Sequence, residues 1–158
     1  MNVTIRPMHR GERGRFLERV VETSWNDLPT YLRERVTTEE IAPNVERVVE
    51  VLLAQGENVI LIADLPNRPN IGQVWLGETR DPYTGRSRGY IYDLYVEAEA
   101  RGQGVATALL EAAEQASRAR GDTELGLTVA AHNQAALSLY RAHGFETERL
   151  SLSKPLEK

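Results

Sequence analysis

The chain contains no cysteine, so it has no disulfide framework, no thiol nucleophile and no thiolate metal ligand. Lysine occurs only at Lys154 and Lys158, which removes any lysine-bearing phosphate loop from the body of the sequence. His9, His132 and His143 are scattered without ligand spacing, and no metal site is expected. No apolar run approaches the roughly eighteen residues of a membrane span, and the stretch 1–10 lacks the apolar core of a signal peptide. Nor is there a basic surplus. The formal net charge is −4, whereas a binder of nucleic-acid backbone carries an excess of positive charge. The expectation from these absences is a soluble, cytoplasmic protein whose partners include neither nucleic acid nor membrane.

What is present suffices for one folded unit. At 158 residues the chain can bury a core without staples, and with no repeat, linker or low-complexity tract 1–158 reads as a single domain. Alternation over 3–6 predicts a first strand closed by Pro7. Phe16, Leu17, Val20, Val21 and Trp25 recur at helical spacing over 12–25, and Asp27-Leu28-Pro29 interrupts that helix. A short helical piece follows over 31–36. Thr37 and Thr38 supply N-cap chemistry to the next helix, whose stripe is Val48, Val49, Leu52 and Leu53 and whose stop is Gly56.

Two strands follow at 58–65 and 71–79, joined by a turn rich in proline and asparagine. The polar segment 80–89 carries Arg80, Arg86 and Arg88, and reads either as a solvated turn or as part of a ligand rim. A strand begins at Tyr90, a helix runs from Val105 to near Gly121, a strand covers 125–130 and a helix 133–143. A last strand is expected at 145–154. This order gives a mixed α/β sheet with hairpins first and a right-handed crossover afterwards.

The stretch 90–110 organises the rest. Tyr90, Ile91, Tyr92, Leu94, Tyr95 and Val96 make a strand, and Val105, Ala108, Leu109, Ala112 and Ala113 make a helix. Between them lies the turn Arg101-Gly102-Gln103-Gly104. A helix N-terminus carries unpaired N–H groups and partial positive charge, and glycine lets an anion approach them without a Cβ in the way. The physics is that of a phosphate cradle, although two glycines alone also fit a tight turn that binds nothing. A Walker loop is excluded by the missing lysine. A dinucleotide fingerprint fits poorly, because Thr107 stands where a third glycine or alanine belongs.

The run Arg101-Gly102-Gln103-Gly104-Val105-Ala106 matches the [QR]-x-x-G-x-[GA] pattern of the GNAT superfamily of N-acetyltransferases. A second block, Asn133, Ala136, Leu139, Tyr140, Gly144 and Phe145, is similar to that family's N-x-x-A-x-x-L-Y-x-x-x-G-F signature. The chain resembles the family well over roughly 58–154 and by general layout before that. The resemblance implies a central mixed sheet splayed between its fourth and fifth strands, with helices on both faces. It implies acetyl-coenzyme A as cofactor, held by Leu94, Tyr95, Val96, Arg101, Gly102, Gln103, Gly104, Val105, Ala106, Thr107, Asn133, Ala136 and Tyr140. It further implies transfer of acetyl to a primary amine of a small molecule or peptide by direct attack. A coenzyme-binding sensor without turnover stays open as a second reading, and so does a homodimer.

Among candidate catalytic residues, Tyr140 is assigned by the resemblance to the leaving sulfur, and an ordinary phenol stays protonated at neutral pH. The plainer alternative is a helix tyrosine with a buried ring. Asp93 is a carboxylate in an apolar strand; it serves as a base, anchors the amine's charge, or pairs with an arginine across strands. Asn133 is both a good N-cap and the family's coenzyme contact. Trp25, Asp27, Tyr31 and Tyr92 are candidates for the acceptor pocket, with ordinary packing as their alternative.

Overall fold

The computed structural model describes residues 2–157. Five strands form one sheet in the order β1-β2-β3-β4-β5: β1 Thr4–Pro7, β2 Val59–Leu65, β3 Arg68–Arg80, β4 Ser87–Val96 and β5 Leu125–Leu127. The first three pairings are antiparallel and β4–β5 is parallel. Antiparallel neighbours need only tight turns, whereas the parallel pair needs a crossover, supplied here by α4 Val105–Ala119. The remaining helices are α1 Arg13–Asp27, α2 Thr30–Arg33, α3 Thr38–Leu53 and α5 Gln134–Ala142. None among the described residues is long and apolar enough to cross a membrane.

Each face of the sheet buries its own core. On one, Phe16 and Val20 of α1 and Val49 of α3 close over Trp75, with Phe16 edge-on to the indole at 5.5 Å between centroids. On the other, Val105, Leu109, Leu110 and Ala113 of α4 close over Val74, Leu76, Ile91 and Val96. Helices thus lie on both faces, as expected. In α3 the apolar stripe is narrower than predicted: Val49 is buried but Val48 is 55% exposed.

The largest departures from the sequence reading lie in three places, besides β3 starting at Arg68 and α2 spanning only Thr30–Arg33. β3 and β4 extend to Arg80 and Ser87, so the predicted loop shrinks to 81–86, folded around the Asp81 side chain, which accepts the Tyr83 and Thr84 N–H groups. That tip lies at the opposite end of β4 from the glycine turn, about 30 Å away at 3.3 Å per residue, so it is not a coenzyme rim. β5 is only three residues long, where 125–130 was expected. The last strand expected at 145–154 is not formed. Its run Glu146-Thr147-Glu148-Arg149 has no apolar face to bury, and Leu150 and Leu152 are 79% and 90% exposed. Side chains hold it instead: Glu148 meets Arg88 at 3.5 Å and Arg149 lies over the Tyr83 ring.

One irregularity sets up the site. Trp75 pairs with Asp93 but Leu76 pairs with Ile91, leaving Tyr92 as the extra residue of a β-bulge. The bulge breaks strict alternation. Tyr92 packs on Trp75 and Asp93 bonds to Gln73, so two consecutive side chains lie on the α1 side.

Candidate active site

β4 and β5 pair only over Gly89, Tyr90 and Ile91 with Leu125, Gly126 and Leu127. Beyond that point they separate, and the hydroxyls of Tyr90 and Thr128 bond to each other at the fork. The β4 edge over 92–96 therefore has no strand beside it. Glu97 donates its N–H to Ile71 O of β3 at 2.8 Å, so alternation turns the Val96 N–H toward the open edge.

The open edge runs directly into the glycine turn. Gly102 and Gly104 hold φ of 76° and 79°, a left-handed conformation that suits glycine, and a Cβ at either would meet nothing within 4 Å. Gly104 is the N-cap of α4 and supplies no side chain to cap it, so the first N–H groups of a fifteen-residue helix face the recess. Val96, Ala100, Arg101, Gly102, Gly104 and Thr107 line that recess. Arg101 is fixed beside it by donation from Nε to Val96 O at 3.0 Å. Unfilled N–H groups, glycines with free space above them and one arginine fit a pyrophosphate, and the adjoining edge fits an extended amide-bearing arm.

Several predicted contacts turn their side chains elsewhere. Val96 and Val105 are buried in the α4-side core. The Tyr95 ring turns the other way, with the Arg19 guanidinium 5.2 Å from its centroid. Gln103 donates back to Glu99 O at 3.3 Å. Ala106 and Thr107 complete the first turn of α4, and Leu94 packs partly against its core.

Asn133 is the N-cap of α5, its Oδ1 accepting the Ala136 N–H at 3.1 Å. Two turns on, the Tyr140 ring packs edge-on to Phe145 at 5.7 Å. Burial, reinforced by the negative charges of Asp93 and Asp27, pushes its phenol up to about 12, so it keeps its proton at any physiological pH. Tyr140 lines a second, wider cleft beside β5 with Leu127, Thr128 and Leu137, rather than the recess at the glycine turn.

Asp93 is 4% exposed. Its Oδ2 accepts from Gln73 Nε2 at 2.8 Å, and its buried Oδ1 has no protein partner. Burial raises its carboxyl to about 6, opposed by the Gln73 hydrogen bond and by the Thr23 hydroxyl nearby, which pull it down. Asp27, at the end of α1, is likewise raised by burial, opposed by His132. His132 Nε2 lies 2.8 Å from Asn26 O, tying the loop before α5 to the end of α1 over the fork. Trp25 stacks with Arg33 at 5.6 Å and Tyr31 with Arg35 at 5.9 Å, while Tyr92 lies in a row of rings between Trp75 and Tyr90.

Sequence reasoning missed Arg19, Gln73, Thr23 and His132. Gln73 was findable: a lone amide in the run Ile71-Gly72-Gln73-Val74-Trp75 must have a buried partner. Among the described residues no group of three acidic or histidine side chains gathers as a metal site.

A split parallel pair ending in a glycine-capped helix defines an acyl-coenzyme A binding class, and the comparisons agree. The profile of the acetyltransferase (GNAT) family matches residues 19–145, and the chain belongs to that family. It is 38% identical over 82 residues to the uncharacterized N-acetyltransferase YycN of Bacillus subtilis, 52% of this chain and 53% of that one. The chain thus spans about half the length of the curated relatives it matches. A Pyrococcus furiosus structure assigned to the acetyl transferases superimposes with a TM-score of 0.82 and 29% identity, over 98% of this chain and 100% of that one. A predicted acetyltransferase of Clostridium acetobutylicum, solved with acetyl-CoA, gives a TM-score of 0.72 over 98% of this chain and 96% of its own, a likeness of fold at 19% identity.

Proposed function

We propose that residues 1–158 act as a single-domain N-acetyltransferase, moving acetyl from acetyl-coenzyme A to a primary amine on a small molecule or peptide. The observation that carries this is the continuity of the unpaired β4 edge with the glycine turn. Acetyl-coenzyme A supplies an acyl group activated as a thioester. The residues of the turn would hold its pyrophosphate, and the Val96 N–H would be the donor for the acyl oxygen, a contact whose loss in comparable sites costs ~10²–10³ in rate. Asp93 receives a proton from the amine at Oδ1, which is buried and has no protein partner. A carboxyl raised to about 6 suits that task near neutral pH. The Tyr140 hydroxyl holds the proton destined for the departing sulfur.

The acceptor is cationic before it reacts, since Asp93 and Asp27 both lie close enough to Tyr140 for their charges to raise its phenol, and such a pair of carboxyls attracts a positive group. Trp25, Tyr31 and Tyr92 border this side. A screen of amines, peptides and nucleobases that follows thiol release tests the reading. Turnover confined to amines is expected. Coenzyme binding with no turnover on any acceptor would make the protein a sensor, and activity on a nucleobase alone would overturn the acceptor class.

A further inference from the structure

Asp93 does not choose its own orientation. Gln73, its neighbour on β3, is fully buried and has three hydrogen bonds that together permit only one amide orientation. Oε1 accepts from Arg19 Nη1 at 3.3 Å, while Nε2 donates to Phe16 O at 3.3 Å and to Asp93 Oδ2 at 2.8 Å. A flipped amide would set its oxygen against a carbonyl and a carboxylate and its NH2 against a guanidinium, three repulsive contacts at once. Arg19 is itself immobilised. It is 4% exposed and donates to Asn70 Oδ1, to Asn70 O at 2.7 Å and to Glu97 Oε1 at 2.9 Å. Glu97 follows Val96 directly, so one guanidinium secures both the end of the open edge and the amide that holds the carboxylate.

We propose that Gln73, locked by Arg19, is the positioning residue that fixes Asp93 with Oδ2 bound and Oδ1 free for the amine. The inference rests on the reading of Asp93 as the proton acceptor. A buried carboxylate with both oxygens free would rotate between two equivalent poses, whereas one short bond to a rigid donor leaves Oδ1 as the single unpartnered oxygen. The same donor favours the charged form and opposes the burial that disfavours it. The other groups around Asp93 are Arg19, Thr23 and Asp27 from α1 and Tyr140 from α5. None of these four makes a bond of hydrogen-bonding length and angle to the carboxylate, whereas Gln73 does.

The test uses two substitutions and two readouts on the full chain. Gln73→Met keeps the volume and removes all three bonds. Gln73→Glu keeps an oxygen for Arg19 but replaces the donor facing Asp93 with a second acid. The first readout is the Asp93 carboxyl titration, followed by carbon NMR on carboxyl-labelled protein without substrate. A shift upward by about one to two pH units is expected in Gln73→Met, since a hydrogen bond to a charged group is worth that much, and a larger one in Gln73→Glu. The second is the acid limb of kcat/KM, expected to move to higher pH by the same amount, with the coenzyme dissociation constant unchanged. Folded variants whose titration and acid limb both stay at the wild-type pH would overturn the proposal. A titration that moves in protein that acetylates no amine would uphold the clamp and sink the proposed function instead.

Discussion

Asn133 Oδ1 accepts the Ala136 N–H at 3.1 Å, so the asparagine that the family signature offers to the coenzyme is already the cap of the helix that carries Tyr140. Removing the cap should fray α5 and displace the tyrosine without touching it. Asn133→Ala is expected to lower stability by about 0.5–2 kcal/mol, and Asn133→Ser, another good cap, to restore most of it. Denaturant midpoints and calorimetric titration with acetyl-coenzyme A check both halves. Coenzyme affinity should recover in the serine variant; if it stays low there, the asparagine Nδ2 touches the coenzyme directly.

Gly104 caps α4 at φ 79° with open space above it. A side chain here meets no protein atom, so its penalty is the left-handed backbone, about 1–2 kcal/mol, and the ligand's exclusion. Gly104→Glu should leave the circular dichroism of the fold intact and weaken coenzyme binding at least tenfold, or about 1.4 kcal/mol, by setting a carboxylate against the pyrophosphate. Unchanged affinity would remove the turn from the coenzyme site.

The Asp93 carboxyl rises from 3.8 in the unfolded chain to about 6 in the fold because burial disfavours its charge. A raised folded value means that the group's contribution to stability is complete below pH 4 and is lost as pH climbs through about 6. Asp93→Asn cannot titrate, so it should gain on the wild type between pH 4 and 7 by about 3 kcal/mol, while losing activity. Chemical denaturation at pH 4 and pH 8 measures the gap. A constant difference between the two proteins would mean that Asp93 is not held uncharged by the fold.

Much of this architecture was legible because local signals agreed with one another. Phe16, Val20 and Val49 fell on faces their spacing announced, and the glycine turn lay between a clear strand and a clear helix. The departures arise where tertiary contacts decide. Nothing local marks Tyr92 as a bulge, yet that one extra residue puts Asp93 on the α1 side. The Tyr95 ring belongs to Arg19, seventy-odd residues earlier, although its backbone borders the coenzyme edge. The terminal segment carries leucines at Leu150 and Leu152 that look like a strand face but have no partner strand to cover them.

The most direct test of the account is Tyr140→Phe, assayed by thiol release beside calorimetric titration of acetyl-coenzyme A. Burial keeps the phenol protonated, raised to about 12, and the phenylalanine ring preserves the packing against Phe145. Turnover should fall by ~10²–10⁴-fold, the span of general-acid help, while the coenzyme dissociation constant moves by less than about tenfold, since one neutral hydrogen bond is worth ~0.5–1.5 kcal/mol. Near-normal turnover in the folded variant would contradict the account, leaving the departing sulfur to take its proton from water and Tyr140 as a packing residue.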